Sequence, residues 1–314
     1  VHAVGPNTAR RYAVSLRQLE PHLRSLHVDE IDSAKIAEIV GVRRDAGAGT
    51  ATIRRDLTAL SSVLEFAIGE GVRKENDNPA LYRLKRLKER RDPIVLPDHS
   101  LIERVMAAAS PSLAPLIRVA LATGCRLNEL VTAERKAVDH ARRQLTLRGK
   151  GNKVRVIDLD FGGAYETVRA IPPKLGCKWL FWHEAGGSRR GRRKLHPGVQ
   201  TVAQPYSGVS GAFHTLVRRV IAQEVKAAKL AGVPAPDLLP FRFHDLRHRH
   251  AVDWLQAGGS IYDLQKRLGH TSVKTTEIYL DFVPSEEERK AKYGESRKES
   301  QGQRFGAGQK DLSA

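Results

Sequence analysis

Apolar residues recur at helical spacing through the first third of the chain. After Asn7-Thr8, the side chains of Tyr12, Leu16, Leu19 and Leu23 are three or four residues apart, which places them on one helix face. Asp32 is suited to cap a second helix that turns Ile36, Ile39 and Val40 inward. Thr50–Ile68 carries the clearest stripe, Ile53, Leu57, Leu60, Leu64 and Ile68, and Gly69 and Gly71 stop it. The spacing therefore predicts an all-helical first region.

The pattern then breaks. Tyr82–Arg91 contains Arg83, Lys85, Arg86, Lys88, Arg90 and Arg91 against Glu89 alone, and Asp92-Pro93 and Pro97 follow. A basic run closed by prolines reads as an exposed linker. Beyond it, Asp98 or Ser100 caps a helix reaching Ala109, Leu113–Ala122 forms another, and Arg126–Val131 starts a third. Gln144–Arg148 and Lys153–Leu159 alternate apolar and polar around Gly149-Lys150-Gly151-Asn152, the signature of a β-hairpin. Lys178–Trp182 is a candidate further strand. Gly186–Pro205 is polar and glycine-rich and reads as an exposed loop. Helices resume at Gly208–Leu230, His244–Gln256, Ile261–Leu268 and Ser272–Phe282. A charged helical segment and a Gly/Gln/Lys tail, expected to be disordered, follow Pro284. The expected class is mainly α with a small β-hairpin or sheet (α+β). The division expected is a helical domain over 1–82, a basic linker over 83–97, a second domain over 98–284, and a tail over 285–314.

Composition adds limits. The chain has 314 residues, 41% apolar and 28% charged, with a mean hydropathy of −0.40. Those values suit packed cores and disfavour collagen-like, coiled-coil or wholly disordered chains. No apolar stretch approaches a bilayer span, so no membrane partner is expected. Two cysteines, Cys125 and Cys177, cannot form a disulfide scaffold or a thiolate zinc cluster, and they fit a cytoplasmic chain.

Charge changes the picture more. Fifty-three Lys and Arg against 35 Asp and Glu give +18, which points to a polyanion partner. Residues 1–92 hold 17 basic and 13 acidic residues, and residues 93–314 hold 36 and 22, so most of the excess lies in the second domain. Arg189, Arg190, Arg192, Arg193 and Lys194 concentrate part of it in the polar loop.

Five patches there can carry chemistry. Gly124-Cys125-Arg126 puts a guanidinium at a helix start, with Glu129 three residues on to hold it; an ordinary i,i+3 surface pair gives the same spacing. Lys150 stands at the hairpin tip with Lys153 just after, where most lysines are simply solvated. His244 and Arg247 share a helix face and would serve a phosphate and a proton together. His244 and His248, at i,i+4, also match a zinc pair, without a Cys or third carboxylate to complete it. His270 falls in a helix–helix corner between Gly269 and Thr271-Ser272. Tyr279 lies at the end of a short helix, where a core or rim role is the ordinary one. Together these residues make a phosphoryl-transfer set of guanidinium pair, proton carriers and phenol.

At this point the text of the chain resembles the tyrosine recombinases of the phage-integrase class. The matching stretches are ATGCRLNEL from Ala122, GKGNKVRVIDL from Gly149 and the thirty-nine residues from His244 to Phe282, in the family's order. NTARRYAVSLRQL from Asn7, TATIRRDLTALSSVLEFAIGEGV from Thr50 and Asn78-Pro79-Ala80 are similar to its helical core-binding domain. The resemblance implies a core-binding domain followed by a tyrosine-recombinase catalytic domain, and a DNA recombinase working through a 3′-phosphotyrosine. By the same resemblance, Arg126 and Arg247 clamp the scissile phosphate and Lys150 is the general acid, with Lys153 a substitute. His244 exchanges the tyrosine proton, His270 bonds the phosphate, Tyr279 attacks, and Glu129 supports Arg126. Arg83, Lys85, Arg86 and the Arg189–Lys194 cluster are expected to grip the DNA backbone. No metal or other cofactor is required. The implied partners are duplex recombination sites, further copies of the chain in a synaptic tetramer on which the tail docks, and accessory DNA-bending proteins. A nucleoid-associated location in the cytoplasm follows. The competing readings are a non-catalytic DNA-binding relative and a type IB topoisomerase. The stretch between Lys150 and His244 is longer than the family's simple pattern, mainly through the loop at 186–205.

Overall fold

The computed structural model describes residues 4–88, 94, 96–149, 153–184 and 203–283, and the chain divides into two compact units at Pro93/Ile94.

The first unit is helical: α1 (Pro6–Leu23), α2 (Ser33–Asp45), α3 (Thr50–Gly69) and α4 (Pro79–Arg86). Its core takes the predicted stripes: Leu19, Ile36, Ile39, Val40, Ile53, Leu57, Leu60 and Leu64 are buried together. Asp32 caps α2 by accepting from the Lys35 N–H at 2.7 Å. Buried Asp56 on α3 accepts from Arg43 on α2 at 3.1 Å, closing one charge pair inside the bundle.

The basic segment departs from the linker reading. Asn78 caps α4 and Pro79 opens it, so Arg83, Lys85 and Arg86 ride on a helix. Ala80 and Leu87 are buried in the unit's core, and Arg54 on α3 donates to the carbonyls of Leu84 and Leu87. A count of basic residues hid these apolar anchors. Lys85 and Arg86 are exposed, Arg83 is half-buried, and Arg86 stacks over the Tyr82 ring at 4.7 Å.

The second unit contains α5 (His99–Ala107), α6 (Leu113–Thr123), α7 (Leu127–Val131), β1 (Val138–Asp139), β2 (Gln144–Arg148), β3 (Val154–Asp158), α8 (Ala164–Ala170), β4 (Trp182–Glu184), β5 (Ala203–Pro205), α9 (Val209–Leu230), α10 (Asp245–Gln256), α11 (Ile261–Leu268) and α12 (Lys274–Glu277). The hairpin forms as predicted, with Leu145 opposite Ile157 and Leu147 opposite Arg155, and β1 adds a third antiparallel strand. Leu145, Leu147 and Ile157 turn into a core with α5, α6 and α9, where Phe213 meets Phe241 and Phe243 edge-on. A smaller cluster joins Ala251, Val252, Leu255, Leu264, Leu268 and Tyr279.

Four local expectations change. Within Lys178–Trp182, Trp179 makes only a single bridge to Glu134, and the strand proper starts at Trp182. Its partner β5 lies in the segment read as loop. Helix α8 was missed because only Ala164 and Val168 among its seven residues are buried, too few for a stripe. Ser272–Phe282 is not one helix: α12 ends at Glu277, and a 3₁₀ turn covers Leu280–Phe282 with Tyr279 at the joint. The Arg189–Lys194 cluster, Lys150 and the chain after Val283 lie outside the described residues.

Candidate active site

The turn between α6 and α7 fixes the first arginine. Gly124 ends α6 at φ +64°, and a Cβ there would stand 2.5 Å from the ring of buried His250. Only glycine fits this left-handed, crowded position. Two residues later Arg126 becomes the N-cap of α7, and Glu129 accepts from its N–H at 2.9 Å and from its Nη1 at 3.2 Å. Glu129 is 6% exposed, while the Arg126 side chain remains 44% exposed. The i,i+3 pair is thus a buried carboxylate holding a guanidinium that still meets solvent.

Glu129 has a second partner that sequence reasoning missed. Arg155 on β3 donates from Nη2 to Glu129 and from Nη1 to the Arg267 carbonyl. Burial by itself would raise the Glu129 pKa; the Arg155 charge, the Arg126 N–H and the Arg126 charge outweigh it and hold it below the usual carboxylate range. Arg155 faces Leu147 across the hairpin, so the sheet ties the Arg126 corner to the α11 C-terminus. Its signal in the sequence was faint: a charged residue in an alternating strand looks solvent-facing. Gly149 comes from the same hairpin, and a Cβ on it would lie 3.4 Å from the Glu129 carboxylate.

Helix α10 brings the histidines and the second arginine. Arg247 is 3% exposed and donates to the Gly124 carbonyl at 2.8 Å and the Leu268 carbonyl at 2.7 Å. Its Nη2 also lies 2.9 Å from His270 Nε2. Burial, then repulsion from Arg126 and Arg155, lowers its pKa to about 10. Because Arg247 can only donate, His270 accepts at Nε2 and carries its proton on Nδ1, which donates to Thr276 Oγ1 at 2.9 Å. Gly269, at φ +67°, ends α11 and delivers His270 to this corner. Burial, then the charges of Arg247 and Arg126, lowers the His270 pKa to about 4.

Tyr279 is 2% exposed, and its hydroxyl lies 2.9 Å from Nδ1 of His248. His244, the residue expected to serve the tyrosine, has no hydrogen bond to it among the described residues. Its ring instead packs edge-on against His248 at 5.1 Å. The reason is helical geometry: His244 is the N-cap residue of α10, and His248 is a full turn further on, facing the α12 joint. Partial burial, then the neighbouring His248 and Arg247, lowers the His244 pKa to about 4. Burial likewise pushes His248 down and Tyr279 up.

The structure therefore brings Arg126, Glu129, Arg247, His270 and Tyr279 into one network, adds Arg155 and His248, and sets His244 at its edge. Beneath it, Arg267 donates to His250 and to the Ala122 and Asp158 carbonyls, a buried brace between α11 and the rest of the unit. Lys153 is exposed beside the hairpin. No group of three or more metal-ligating side chains occurs among the described residues. No helix among them is long and apolar enough to cross a membrane.

Fold and site together define a class: a two-unit, mainly helical protein whose second unit gathers guanidinium, imidazole and phenol groups around α10. Residues 95–285 match the model of the phage integrase family, and residues 2–71 match that of the phage integrase N-terminal SAM-like domain. The chain belongs to the phage integrase family. It is 28% identical to tyrosine recombinase XerD of Bradyrhizobium diazoefficiens, over 89% of this chain and 87% of the relative. It is 31% identical to tyrosine recombinase XerC of Bifidobacterium longum over 61% of this chain and 48% of that one. The fold is similar to a lambda integrase dimer bound to a COC′ core site (TM-score 0.63, 19% identity, 88% and 89% covered). It is similar also to the Tn1549 transposon integrase with transposon right end DNA (TM-score 0.64, 20% identity, 92% and 93% covered).

Proposed function

We propose that Tyr279 is the nucleophile of a site-specific DNA recombinase, with Arg126 and Arg247 receiving the scissile phosphate. The protein is an enzyme of DNA strand breakage and rejoining, as its family membership establishes. The observation that carries the residue assignment is the convergence on α10. Arg247 and His248 are adjacent in sequence, and they reach His270 and Tyr279 respectively at 2.9 Å.

Each group has a physical task. Two guanidiniums match the charge that builds on a pentacoordinate phosphorus. Glu129, itself anchored by Arg155, holds the first guanidinium, and the Gly124 and Leu268 carbonyls accept from the second. His270, close to Arg247, would bond a phosphate oxygen through Nε2–H in its other tautomer, reached by exchange of the ring proton with solvent. Lys150, which follows β2 in the sequence, would protonate the leaving 5′-oxygen, with Lys153 as the substitute. Attack by Tyr279 forms a 3′-phosphotyrosine and frees a 5′-hydroxyl, and reversal of the step on another strand recombines them.

Related structures bear on partners. One is a lambda integrase tetramer bound to a Holliday junction, and by analogy four copies of this chain would act on two duplex sites. Work on chromosomal DNA would place it at the nucleoid, inside the cell.

The test is a nicked duplex selected by the protein from a random-sequence pool, whose cleaved end diffuses away and traps the intermediate. Wild type is expected to give an SDS-resistant protein–DNA adduct, and Tyr279→Phe none. An adduct that survives Tyr279→Phe sinks the assignment of the nucleophile, and absence of any adduct with wild type favours a non-catalytic relative. Relaxation of supercoiled plasmid at no preferred position would instead favour the topoisomerase reading.

A further inference from the structure

We propose that Arg155 on β3 is a positioning residue of the cleavage reaction, acting through Glu129 on the Arg126 guanidinium. The inference rests on the reading of Arg126 as a phosphate ligand and deepens it. β3 is unusual for a strand against a core. Val154 and Val156 are 55% and 52% exposed, while Arg155 turns inward with buried Ile157. A slip of one residue would exchange the two faces, and the pairs Leu147–Arg155 and Leu145–Ile157 fix the register against it. Two valines left in water and a guanidinium taken out of it both cost stability. Apolar packing therefore does not account for where Arg155 stands.

Its contacts do. Nη2 donates to Glu129 and Nη1 to the Arg267 carbonyl. Nε is buried without a partner among the described residues, so the hydrogen bonding rests on the two ends of the fork. Glu129 in turn accepts from the Arg126 N–H at 2.9 Å and from Arg126 Nη1 at 3.2 Å. One carboxylate thus stands between two arginine side chains, Arg155 at 15% exposure and Arg126 at 44%. The inner one anchors the carboxylate, and the outer one faces solvent. The hairpin closes at the same carboxylate: the Gly149 N–H donates to the Lys153 carbonyl at 2.8 Å, and a Cβ on Gly149 would lie 3.4 Å from Glu129 Oε1. At the other side of Arg155, a Cβ on Gly269 would lie 3.3 Å from its Cδ.

The need for such an anchor is local. Helix α7 has five residues, little more than one turn, and gives the Arg126 corner a weak frame of its own. A carboxylate held only by a partner three residues away can turn with it. Tied to β3, it is fixed by a sheet that packs into the core. The electrostatics agree. Burial raises the Glu129 pKa, and of the two arginines that lower it Arg155 has the larger effect. Arg267, the other inward arginine nearby, bonds His250 and the Ala122 and Asp158 carbonyls and has no hydrogen bond to Glu129 among the described residues. Arg155 spends both ends of its fork on protein acceptors, so its task is to place Arg126 and not to touch the phosphate.

The test is the adduct-forming rate on saturating nicked duplex, set beside the dissociation constant for the same duplex. Arg155→Met removes both donations at similar side-chain length. We expect its rate to fall about 10–10²-fold, with the dissociation constant within about threefold of wild type. Glu129→Ala should lose a similar factor in rate. Adding Arg155→Met to Glu129→Ala should slow the reaction by less than about threefold more, because the two residues act in series. Should Arg155→Met fail to melt cooperatively, Arg155→Lys replaces it in every comparison. An ammonium serves one end of the fork and not both, so a loss of about tenfold is expected there. A rate within about threefold of wild type, a loss carried by the dissociation constant instead of the rate, or factors that multiply in full in the double variant would overturn the proposal. Failure of wild type to form a Tyr279-dependent adduct, or an unaltered rate in Arg126→Ala, would instead overturn the reading beneath it.

Discussion

The helical unit and the catalytic unit bury different things. In the first, the interior is a stripe of Ile53, Leu57, Leu60 and Leu64, and buried Asp56 is matched by Arg43. In the second, Arg155, Arg247 and Arg267 are taken out of water close together, and Arg126 and Arg155 share the carboxylate of Glu129. Backbone carbonyls satisfy much of the remaining guanidinium hydrogen bonding, but carbonyls carry no net charge. Arg247 consequently feels Arg126 and Arg155 as repulsion. The first unit is electrostatically closed; the second holds an excess of cations that a phosphate would complete. Such an interior gives up stability for function.

The comparison breaks most sharply at α3. Leu57 is fully buried, and Leu57→Ala should cost the helical unit about 2–5 kcal/mol. Followed by denaturant unfolding, a loss below about 1 kcal/mol would mean that apolar burial does not dominate there.

Acid should separate the units next. His250 in the catalytic unit has its pKa lowered to about 3, by burial first and then by Arg267. A histidine depressed in the folded state adds its full stability above its ordinary pKa of 6.5 and loses it as pH falls toward the folded value. Each pH unit below 6.5 removes about 1.4 kcal/mol, so about 2 kcal/mol is gone at pH 5. No buried histidine occurs among the described residues of the helical unit. Calorimetry between pH 7 and 5 should show the catalytic transition falling first; parallel shifts would contradict the contrast.

Glu129→Gln should have a smaller effect, about 1.5–2 kcal/mol at pH 7, the worth of hydrogen bonds to charged groups less what the amide oxygen retains. Because the Glu129 pKa is lowered in the fold, its contribution is present above pH 4.5 and lost as pH drops through the folded value. The variant should therefore lose its excess instability in acid. A constant difference from wild type down to pH 3 would show that charge is not what Glu129 supplies.

The same contrast explains what the chain disclosed in advance. The helical unit was legible because its stabilising residues repeat: Leu57, Leu60 and Leu64 announce a helix and its inward face at once. The motifs around Arg126, His244 and Tyr279 pointed through resemblance to a candidate site, but not to the contacts among its residues. Whether His244 or His248 meets Tyr279 depends on the break between α12 and the 3₁₀ turn, which hydrophobic spacing does not encode. Arg155 and Arg267 stayed hidden because a buried arginine braced on carbonyls has no periodic signature. The basic run at Arg83–Arg86 misled in the opposite direction. Its charges were visible, while Ala80, Leu87 and the Asn78 cap that make it helical were too sparse to register.

That helix gives the smallest effect. Lys85 and Arg86 are exposed on α4, whose carbonyl end is tied down by Arg54, so their charges are presented from a fixed frame. If each neutralises one phosphate, Lys85→Ala with Arg86→Ala should reduce the log–log salt slope of duplex binding by about 2. Half-buried Arg83 should add less than either. Charges that only grip the backbone do not enter the barrier, so the adduct-forming rate on saturating nicked DNA should be unchanged. Arg126→Ala should do the reverse if its guanidinium serves the transition state, as proposed: about one unit of slope at most, and a collapse of the rate. The division fails if the double variant binds with an unaltered slope. It fails equally if the two variants slow cleavage alike, since the basic helix would then belong to the chemistry and not to the grip.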